Sequence, residues 1–502
     1  MSPPPLDPTP LTTPQLRLSA PSDLPPRPEG EVVLYWMTAQ RRTRYNFGLQ
    51  RALWWCATLQ RPLVVLEALR VGYEWASDRH HAFVIDGMRD NAAAFAAAGV
   101  AYHGYVEHTA GEGRGLLEAH ALRACVVVAD EYPCFFLPRM LAAAATRLRA
   151  LGRRLELVDS NGLLPLRATD RAFTTAASFR RHLQKTLLPH MGVGGFPRAE
   201  PLMEPAAAAG KGGETPAALL ARWPSLVERP VDLASLPIDH GVPPCARGGS
   251  ARAAALLGRF VEVNLRRYHE ARNDIDDSAA TGLSAHIHFG HISPHEVVEV
   301  ALRSCGWSPA RVASSPSGSR EGWWGASAGV EAFLDEQITW RELGFVMCFH
   351  HPQGSAAAYD RYESLPGWAL ETLDEHRADP RAHVYSLEQL DGALTHDRLW
   401  NAAQRQLVRE GRVHNYLRML WGKKILEWSP TPEEALRRLV WLNNRYALDG
   451  RDPNSYSGVF WCLGRFDRAW GPERPVYGKV RYMTSDSTAR KYDVKGYLAR
   501  YP

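Results

Sequence analysis

The sequence predicts two unlike halves, an α/β N-terminal domain with a doubly wound parallel sheet and an all-α C-terminal domain. Three observations carry this. Between residues 31 and 165 short apolar runs alternate with helical segments, the order that builds a parallel sheet covered on both faces. Residues 191–250 are rich in Gly, Pro and Ala, including AAAAGKGG at 206–213, and read as a connector with one or two short helices. Beyond about residue 250 long amphipathic helical patterns take over, broken by a Gly- and Ser-rich loop at 306–330. The expected division is a disordered proline-rich tail over 1–30, the α/β domain over 31–165, a connector over 166–250 and the helical domain over 251–502.

Within the α/β half, EVVLYWM at 31–37 reads as a buried strand and the segment from about 45 to 60 as a helix whose aromatics face a sheet. RPLVVLEAL at 61–69 reads as a second strand and a first helical turn. The later strands are VAYHGYV at 100–106, ACVVVAD at 124–130 and RRLELVDS at 153–160, separated by helices expected at 88–98, 115–123 and 136–150. No Gly-x-Gly-x-x-Gly follows the first strand, so nothing marks a dinucleotide pocket there. Such a sheet can hold a small chromophore or be purely structural.

Composition narrows the functional classes. The formal charge is +5, from 59 basic against 54 acidic residues, so a nucleic-acid site has to come from local clustering rather than bulk charge. Seven scattered cysteines (56, 125, 134, 245, 305, 348 and 462) form no Cys-x-x-Cys pair, against both a disulfide framework and a structural zinc site. The N-terminus lacks the pattern of a signal peptide and the apolar runs are too short to span a membrane, so a soluble, cytoplasmic protein is expected.

Five tryptophans, Trp400, Trp421, Trp428, Trp441 and Trp461, gather among arginines and asparagines near the C-terminus. In NYLRMLWGKKILEW at 415–428, Arg418, Trp421 and Trp428 share roughly one helical face. The two indoles are about 10 Å apart along the axis, a stepping distance for an electron and equally the spacing of core residues. Trp400, on a preceding helix, suits either cluster. RRLVWLNNRYALDGRDPNSYSG at 437–458 places Asn443 near a helix end and Asp449 in the following turn, close to one cavity. A capped helix with an Asx turn uses the same letters. Arg418 and Asp449 form either a stabilising ion pair or a fixed charge pair beside a redox-active ring.

TGLSAHIHFGHISPHE at 281–296 opens with Thr281, Gly282, Leu283 and Ser284 ahead of an apolar helix, which suits either a pyrophosphate or a simple N-cap. RRYHEARND at 266–274 can bring Tyr268 and Arg272 to the same phosphate-bearing cavity. His286, His288, His291 and His295 lack the Cys or acidic partners of a metal set, so no metal is expected. Glu342, on the mostly apolar helix WRELGFVMCF at 340–349, is either a surface residue beside Arg341 or a carboxyl of raised pKa offered to a substrate. RPVYGKVRYMTSDSTARKY at 474–492 interleaves Arg474, Lys479, Arg481, Arg490 and Lys491 with three tyrosines, which fits a phosphate backbone as well as a solvated basic face.

Together LYWM at 34–37, ARND at 271–274, LSAHIHFGHIS at 283–293, WREL at 340–343, YLRMLWGKKILEW at 416–428, LNNRYALDGRDPNSYSGVFW at 442–461 and GKVRYM at 478–483 closely resemble the class II cyclobutane pyrimidine dimer photolyases of the photolyase/cryptochrome family. The resemblance spans nearly the whole chain and implies that family's fold: an antenna domain, a connector and a helical domain holding U-shaped FAD. It further implies FAD contacts from Tyr268, Arg272, Thr281, Gly282, Leu283 and Ser284, with Asn443 facing flavin N5 and Arg418 and Asp449 beside the ring. Trp421, then Trp428 and Trp400, match the photoreduction set. Glu342 matches the carboxyl that meets the flipped lesion, Met419 and Trp461 the pocket walls, and Arg481 a DNA contact. The implied activity is light-driven electron transfer from reduced FADH− to a dimer in damaged DNA, by a monomer with no obligate protein partner and with a possible deazaflavin antenna.

Flipping a dimer costs less than flipping normal bases because it stacks poorly, and its recognition rests on shape. Three positions depart from the family pattern: His291 after HFG, the loop at 306–330 and the run RRTR at 41–44. A cryptochrome-type photoreceptor would share fold and cofactor, but Glu342 with the Met419 and Trp461 pocket favours repair. A non-catalytic nucleic-acid-binding protein would carry no flavin.

Overall fold

The computed structural model describes residues 12–202 and 214–502. The stretch AAAAGKGG, and residues 1–11 of the expected tail, lie outside the described residues. Six strands form one sheet in the order β1-β6-β5-β2-β3-β4: β1 (Leu18–Ser19), β2 (Val32–Trp36), β3 (Leu63–Leu69), β4 (Ala101–Val106), β5 (Ala124–Glu131) and β6 (Leu155–Asp159). All neighbours run parallel except β1, which is antiparallel to β6. Strand residues alternate between two cores. Val32, Leu34, Trp36, Val64, Leu66 and Val127 pack against α3 (Leu116–Ala121) and α4 (Leu137–Ala150). Val33, Tyr35, Val65, Val126 and Val128 pack against α1 (Phe47–Leu59). Each such side chain contributes about 1.5–3 kcal/mol on burial, which is why the strands are unbroken apolar runs.

Three expectations for this half need correction. Residues 12–30 are not a disordered tail: β1 joins the sheet, and buried Arg17 donates to the carbonyls of Asp159 (3.2 Å) and Leu163 (2.7 Å). Proline-rich sequence also suits extended segments at a sheet edge. β3 stays extended to Leu69, with no helical turn, because Val64 to Leu69 pair residue by residue with Ala101 to Val106 of β4. Helix α2 (Asp78–Ala97) begins ten residues before position 88. Ser77 caps it by accepting from His80 N–H, and the polar letters Arg79, His80 and His81 are buried. Arg79 is satisfied by the carbonyls of Tyr446 (2.8 Å) and Val408 (2.6 Å) in the other half of the chain.

At the switch point between β2 and β5, where ligands of doubly wound sheets bind, Asp130 gathers the following loop. Its Oδ2 accepts from the N–H groups of Thr38, Ala39 and Gln40, each at 2.9 Å. The RRTR run closes the joint between the halves: Arg41 pairs with Glu67 (3.0 Å), and buried Arg42 donates to Gly290 O (3.1 Å).

The rest is helical. The elements that matter are α5 (Ala176–Thr186), α6 (Ser250–Arg259), α7 (Ser284–His288), α8 (Pro294–Ser304), α9 (Ala328–Leu334), α10 (Arg341–His350), α11 (Arg398–Glu410), α12 (Asn415–Trp428), α13 (Pro432–Tyr446) and α14 (Pro453–Trp461). Their starts follow from local chemistry: Thr431 and Asp452 cap α13 and α14 with Pro in the first turn, and Asp397 caps α11 by accepting from Leu399 and Trp400 N–H. Asp397→Ala is expected to cost about 1 kcal/mol, seen as a lower urea midpoint at unchanged slope. The loop at 306–330 is packed: Trp323 and Trp324 meet at 4.8 Å, and Gly318 N–H donates to Gln184 Oε1 of α5 at 2.7 Å. None of the described helices is long and apolar enough to cross a membrane.

Candidate functional site

Helices α12, α13 and α14 bring together three residues that the sequence holds 25 and 31 positions apart. Arg418 of α12 donates to both carboxylate oxygens of Asp449 (3.3 and 3.2 Å), to Asn443 Oδ1 of α13 and to Ser455 Oγ of α14 (3.3 Å). Asn443 Nδ2 in turn donates to Ser455 Oγ at 2.8 Å and to Asn444 Oδ1 at 3.1 Å. Asn443 is buried, whereas the side chains of Arg418 and Asp449 keep 27% and 18% of their surface open. The charge pair is enclosed by helices yet keeps part of its surface open, unlike a sealed internal bridge.

Tyr268 is buried against Phe260 and Phe333, and Arg272 pairs with Glu336 at 2.8 Å. Near the start of α7, Leu283 N–H donates to Thr281 Oγ1 (3.0 Å), Ser284 is exposed, and a Cβ on Gly282 would meet nothing within 4 Å. Gly282 has φ +70°, a conformation glycine takes freely. Open backbone at a helix start, where first-turn N–H groups lack intrahelical acceptors, fits a phosphate-bearing ligand. The Arg418, Asn443 and Asp449 group, with its fixed charges, fits a polar ring. Of the four histidines of this stretch, His288 meets Asp452 (3.3 Å), His291 Nδ1 accepts from Gly249 N–H (3.0 Å) and His295 lies beside Arg17 and Ser293 (3.4 and 3.1 Å), while His286 packs on Phe83 together with His291. Burial works against ionised Asp452, but His288 and Arg341 hold its pKa below the usual range.

The tryptophans form a file. Trp400 of α11 lies parallel to Trp421 (4° between planes, 6.5 Å between centroids) and edge-on to Trp428 (69°, 5.5 Å). The spatial order is therefore Trp421, Trp400, Trp428, an order that helical spacing could not give because Trp400 comes from another helix. Trp400 Nε1–H donates to Trp421 O (3.0 Å), and Trp421 Nε1–H to Gln404 Oε1 (2.9 Å), so both rings are held in place. Trp421 lies one turn from Arg418, which ties the file to the charge pair.

Glu342 is not where a lesion could meet it. Its two oxygens accept from Leu163 N–H (2.6 Å) and Leu164 N–H (3.0 Å), and Gly162 is packed so closely that a Cβ there would lie 2.7 Å from the carboxyl carbon. The side chain is buried between α10 and the loop after β6, where burial pushes its pKa up to about 7 against the pull of Arg341 and the two amides. A carboxyl of the same helical run that keeps some of its surface open is Glu336, six residues earlier in the π-helical stretch Asp335–Trp340. It is 28% exposed and paired with Arg272, and burial raises its pKa. A signal was present in the letters: Glu336 stands in the polar run DEQ, Glu342 among apolar residues that demand full burial. π-helical turns recur at functional sites.

Trp461, at the end of α14, lies between two cations: Lys423 Nζ is 4.5 Å from its ring and the Arg481 guanidinium 5.4 Å. Lys423 donates to Trp461 O (3.3 Å) and Cys462 O (2.9 Å), which caps the helix end, and burial lowers its pKa to about 8. Arg481 also stacks on Trp470 (4.0 Å) and pairs with Asp467 (3.1 Å), so a half-exposed basic and aromatic surface adjoins Trp461. Met419 is half-buried next to Arg418 on α12.

No protein-family model matches the chain. Among curated proteins it is 34% identical over 476 residues to a deoxyribodipyrimidine photo-lyase of Methanothermobacter thermautotrophicus, covering 94% of each chain. It is 35% identical over 486 residues to that of Oryza sativa subsp. japonica (94% of this chain, 88% of the relative) and 30% over 476 residues to that of Potorous tridactylus (93% and 80%). Among solved structures, a class III photolyase from Agrobacterium tumefaciens superposes with a TM-score of 0.65 at 16% identity, covering 94% of this chain and 86% of that one. A cryptochrome from Synechocystis sp. does so at 0.67 and 14%, covering 94% and 88%; these two likenesses show the fold.

Proposed function

The chain belongs to the deoxyribodipyrimidine photolyase family, which repairs pyrimidine dimers in DNA with light, and we propose that it works as a class II enzyme through FAD held in its helical half. The observation that carries this reading is the union of Arg418, Asn443 and Asp449 at one end of a file of three indoles. Bound FAD supplies a photoexcitable one-electron donor, active in its reduced form. The chain's own residues do the rest. Arg418, Asn443 and Asp449 would hold the flavin ring, and their fixed charges set the energy at which an electron arrives or leaves. Tyr268, Arg272 and the stretch from Thr281 to Ser284 would hold the phosphate side.

Glu336, in place of Glu342, is our assignment for the carboxyl that meets the dimer: it is partly exposed, where Glu342 is buried and taken up by two backbone amides, and burial raises its pKa against the pull of Arg272. Met419 and Trp461 would wall the pocket, with Lys423 and Arg481 fixing Trp461 from its two sides. Arg481 and the aromatics beside it would take the DNA backbone, and each phosphate contact of this kind weakens with added salt. The α/β half, at the switch point of its sheet, would take an antenna, for which a deazaflavin is our expectation. We assign 31–165 to that antenna role, 166–250 to the connector and 251–502 to catalysis, in a monomer acting inside the cell.

The test is to reduce the purified protein anaerobically, add single-stranded and duplex oligonucleotides carrying one thymine dimer, and count restored thymines. Restoration in blue light and none in the dark is expected; no restoration in light, with FAD bound and reduced, contradicts the reading. A companion prediction concerns retention: Asp449→Ala leaves Arg418 without its carboxylate, and the purified protein is expected to carry less flavin per chain than wild type, read from its absorption spectrum.

A further inference from the structure

The aromatic contacts do not stop at the third tryptophan. Trp428 is only 1% exposed, so an electron vacancy on it has no direct outlet to water. Its ring meets Tyr385 edge-on (5.3 Å, 79°) and His396 (5.4 Å, 63°). Tyr385 Oη lies 2.6 Å from His396 Nδ1 and accepts from His396 backbone N–H at 3.1 Å, which leaves the phenolic O–H to donate to Nδ1 when the ring proton sits on Nε2. The exposed ring of His396 stacks on that of His383, with centroids 3.9 Å apart. A buried indole, a phenol in contact with it and an imidazole bonded to that phenol thus lead in line from the protein core to solvent.

We propose that Tyr385 is the last electron donor of the tryptophan file and that His396 Nδ1 takes its phenolic proton. The proposal rests on the reading of that file as a photoreduction path, in which Trp421 gives an electron to the excited flavin and is refilled from Trp400 and then Trp428. Trp428, left as a radical cation, gains one electron from Tyr385 and returns to neutral indole. As Tyr385 is oxidised its O–H bond breaks, and the proton forms a new N–H bond at Nδ1. The products are a neutral phenoxyl and an imidazolium, which releases its Nε2 proton to water. Charge and atoms balance, and the only oxidant is the vacancy already on Trp428.

The physical reason lies in the proton. A phenol gives up an electron readily only if its proton can leave at the same time, and a base within hydrogen-bond reach provides the exit. Burial, then His383, keep the His396 pKa below the ordinary histidine range, which favours the neutral ring; the tautomer with its proton on Nε2 offers Nδ1 as the acceptor. The titratable and charged groups facing it are Tyr385, His383, Asp397, Lys424 and Glu427. Once its proton is gone the phenoxyl cannot take back an electron without recovering one. The charge-separated state is therefore prolonged.

Flash excitation of the FAD-loaded, oxidised protein, followed by transient absorption and by EPR on protein grown with ring-deuterated tyrosine, tests this. A tryptophan radical that decays into a tyrosyl signal, more slowly in D2O, is expected. Tyr385→Phe should abolish the tyrosyl signal, keep the early tryptophan radical, remove the D2O-sensitive phase of its decay and shorten the charge-separated state as a whole. His396→Leu should keep Tyr385 but lose most of the tyrosyl yield. In wild type that yield should hold through neutral pH and fall in acid, as Nδ1 becomes protonated. A tryptophan radical with no tyrosyl signal, or a tyrosyl signal unchanged in Tyr385→Phe, overturns the proposal and leaves the tryptophan file standing. No tryptophan radical at all overturns both.

Discussion

Trp400→Phe is expected to abolish light-driven reduction of the bound flavin while the protein still folds and binds FAD. Trp400 is the only one of the three indoles that touches both others, at 6.5 Å from Trp421 and 5.5 Å from Trp428. Without its indole the remaining pair sits on one helix about 10 Å apart along the axis, with a ring between them that is far harder to oxidise. The structural cost is modest. Phenylalanine fills most of the fully buried site, and the lost volume together with the Trp400 Nε1–H bond to Trp421 O amounts to about 2 kcal/mol. Photoreduction under a fixed lamp, followed by flavin absorption, separates the two effects: the rate collapses while the thermal midpoint shifts by a few degrees.

Glu342→Ala is expected to destabilise the fold by about 3–5 kcal/mol, the cost of breaking a buried charged cluster. The change strands the Leu163 and Leu164 N–H groups and opens a hole at the seam between α10 and the sheet's C-terminal loop. Glu342→Gln keeps one acceptor but turns an N–H donor toward the other amide, so about 1–2 kcal/mol is expected. The pH dependence has a definite sign. The folded pKa of about 7 lies above the ordinary 4.5, so the native state holds the proton more tightly. The stability this contributes is complete below about 4.5 and is lost as pH rises through about 7, a span of about 3 kcal/mol. Urea unfolding of Glu342→Gln across that window should show a flatter profile than wild type. An unchanged slope would mean that Glu342 does not titrate in the seam.

The sheet was legible because its strands are short apolar runs rich in Val, such as VVLYW and CVVVA, alternating with helical segments, as a doubly covered parallel sheet requires. The start of α2 was not, since Arg79, His80 and His81 look like surface letters, yet Arg79 is satisfied by carbonyls more than 160 residues away and His80 by the Ser77 cap. In the site, the convergence of Arg418, Asn443 and Asp449 followed from the motifs that carry the family resemblance. The exchange of Glu342 for Glu336 did not, because the amides that occupy Glu342 come from residues 163 and 164, and a π turn separates the two carboxylates. Tyr385 and His396 lie in unremarkable loops, and only tertiary packing sets them against Trp428.

The measurement closest to the central claim is dimer repair once the tryptophan file has been bypassed. Wild type and Trp400→Phe are both reduced chemically without oxygen, mixed with a thymine-dimer oligonucleotide and illuminated with blue light, with matched samples kept dark. Equal restoration of thymines by the two proteins in light and none in the dark is predicted, because the tryptophans serve to load the flavin with electrons and take no part in the repair step. No restoration by either protein, with FAD bound and fully reduced, would contradict the account.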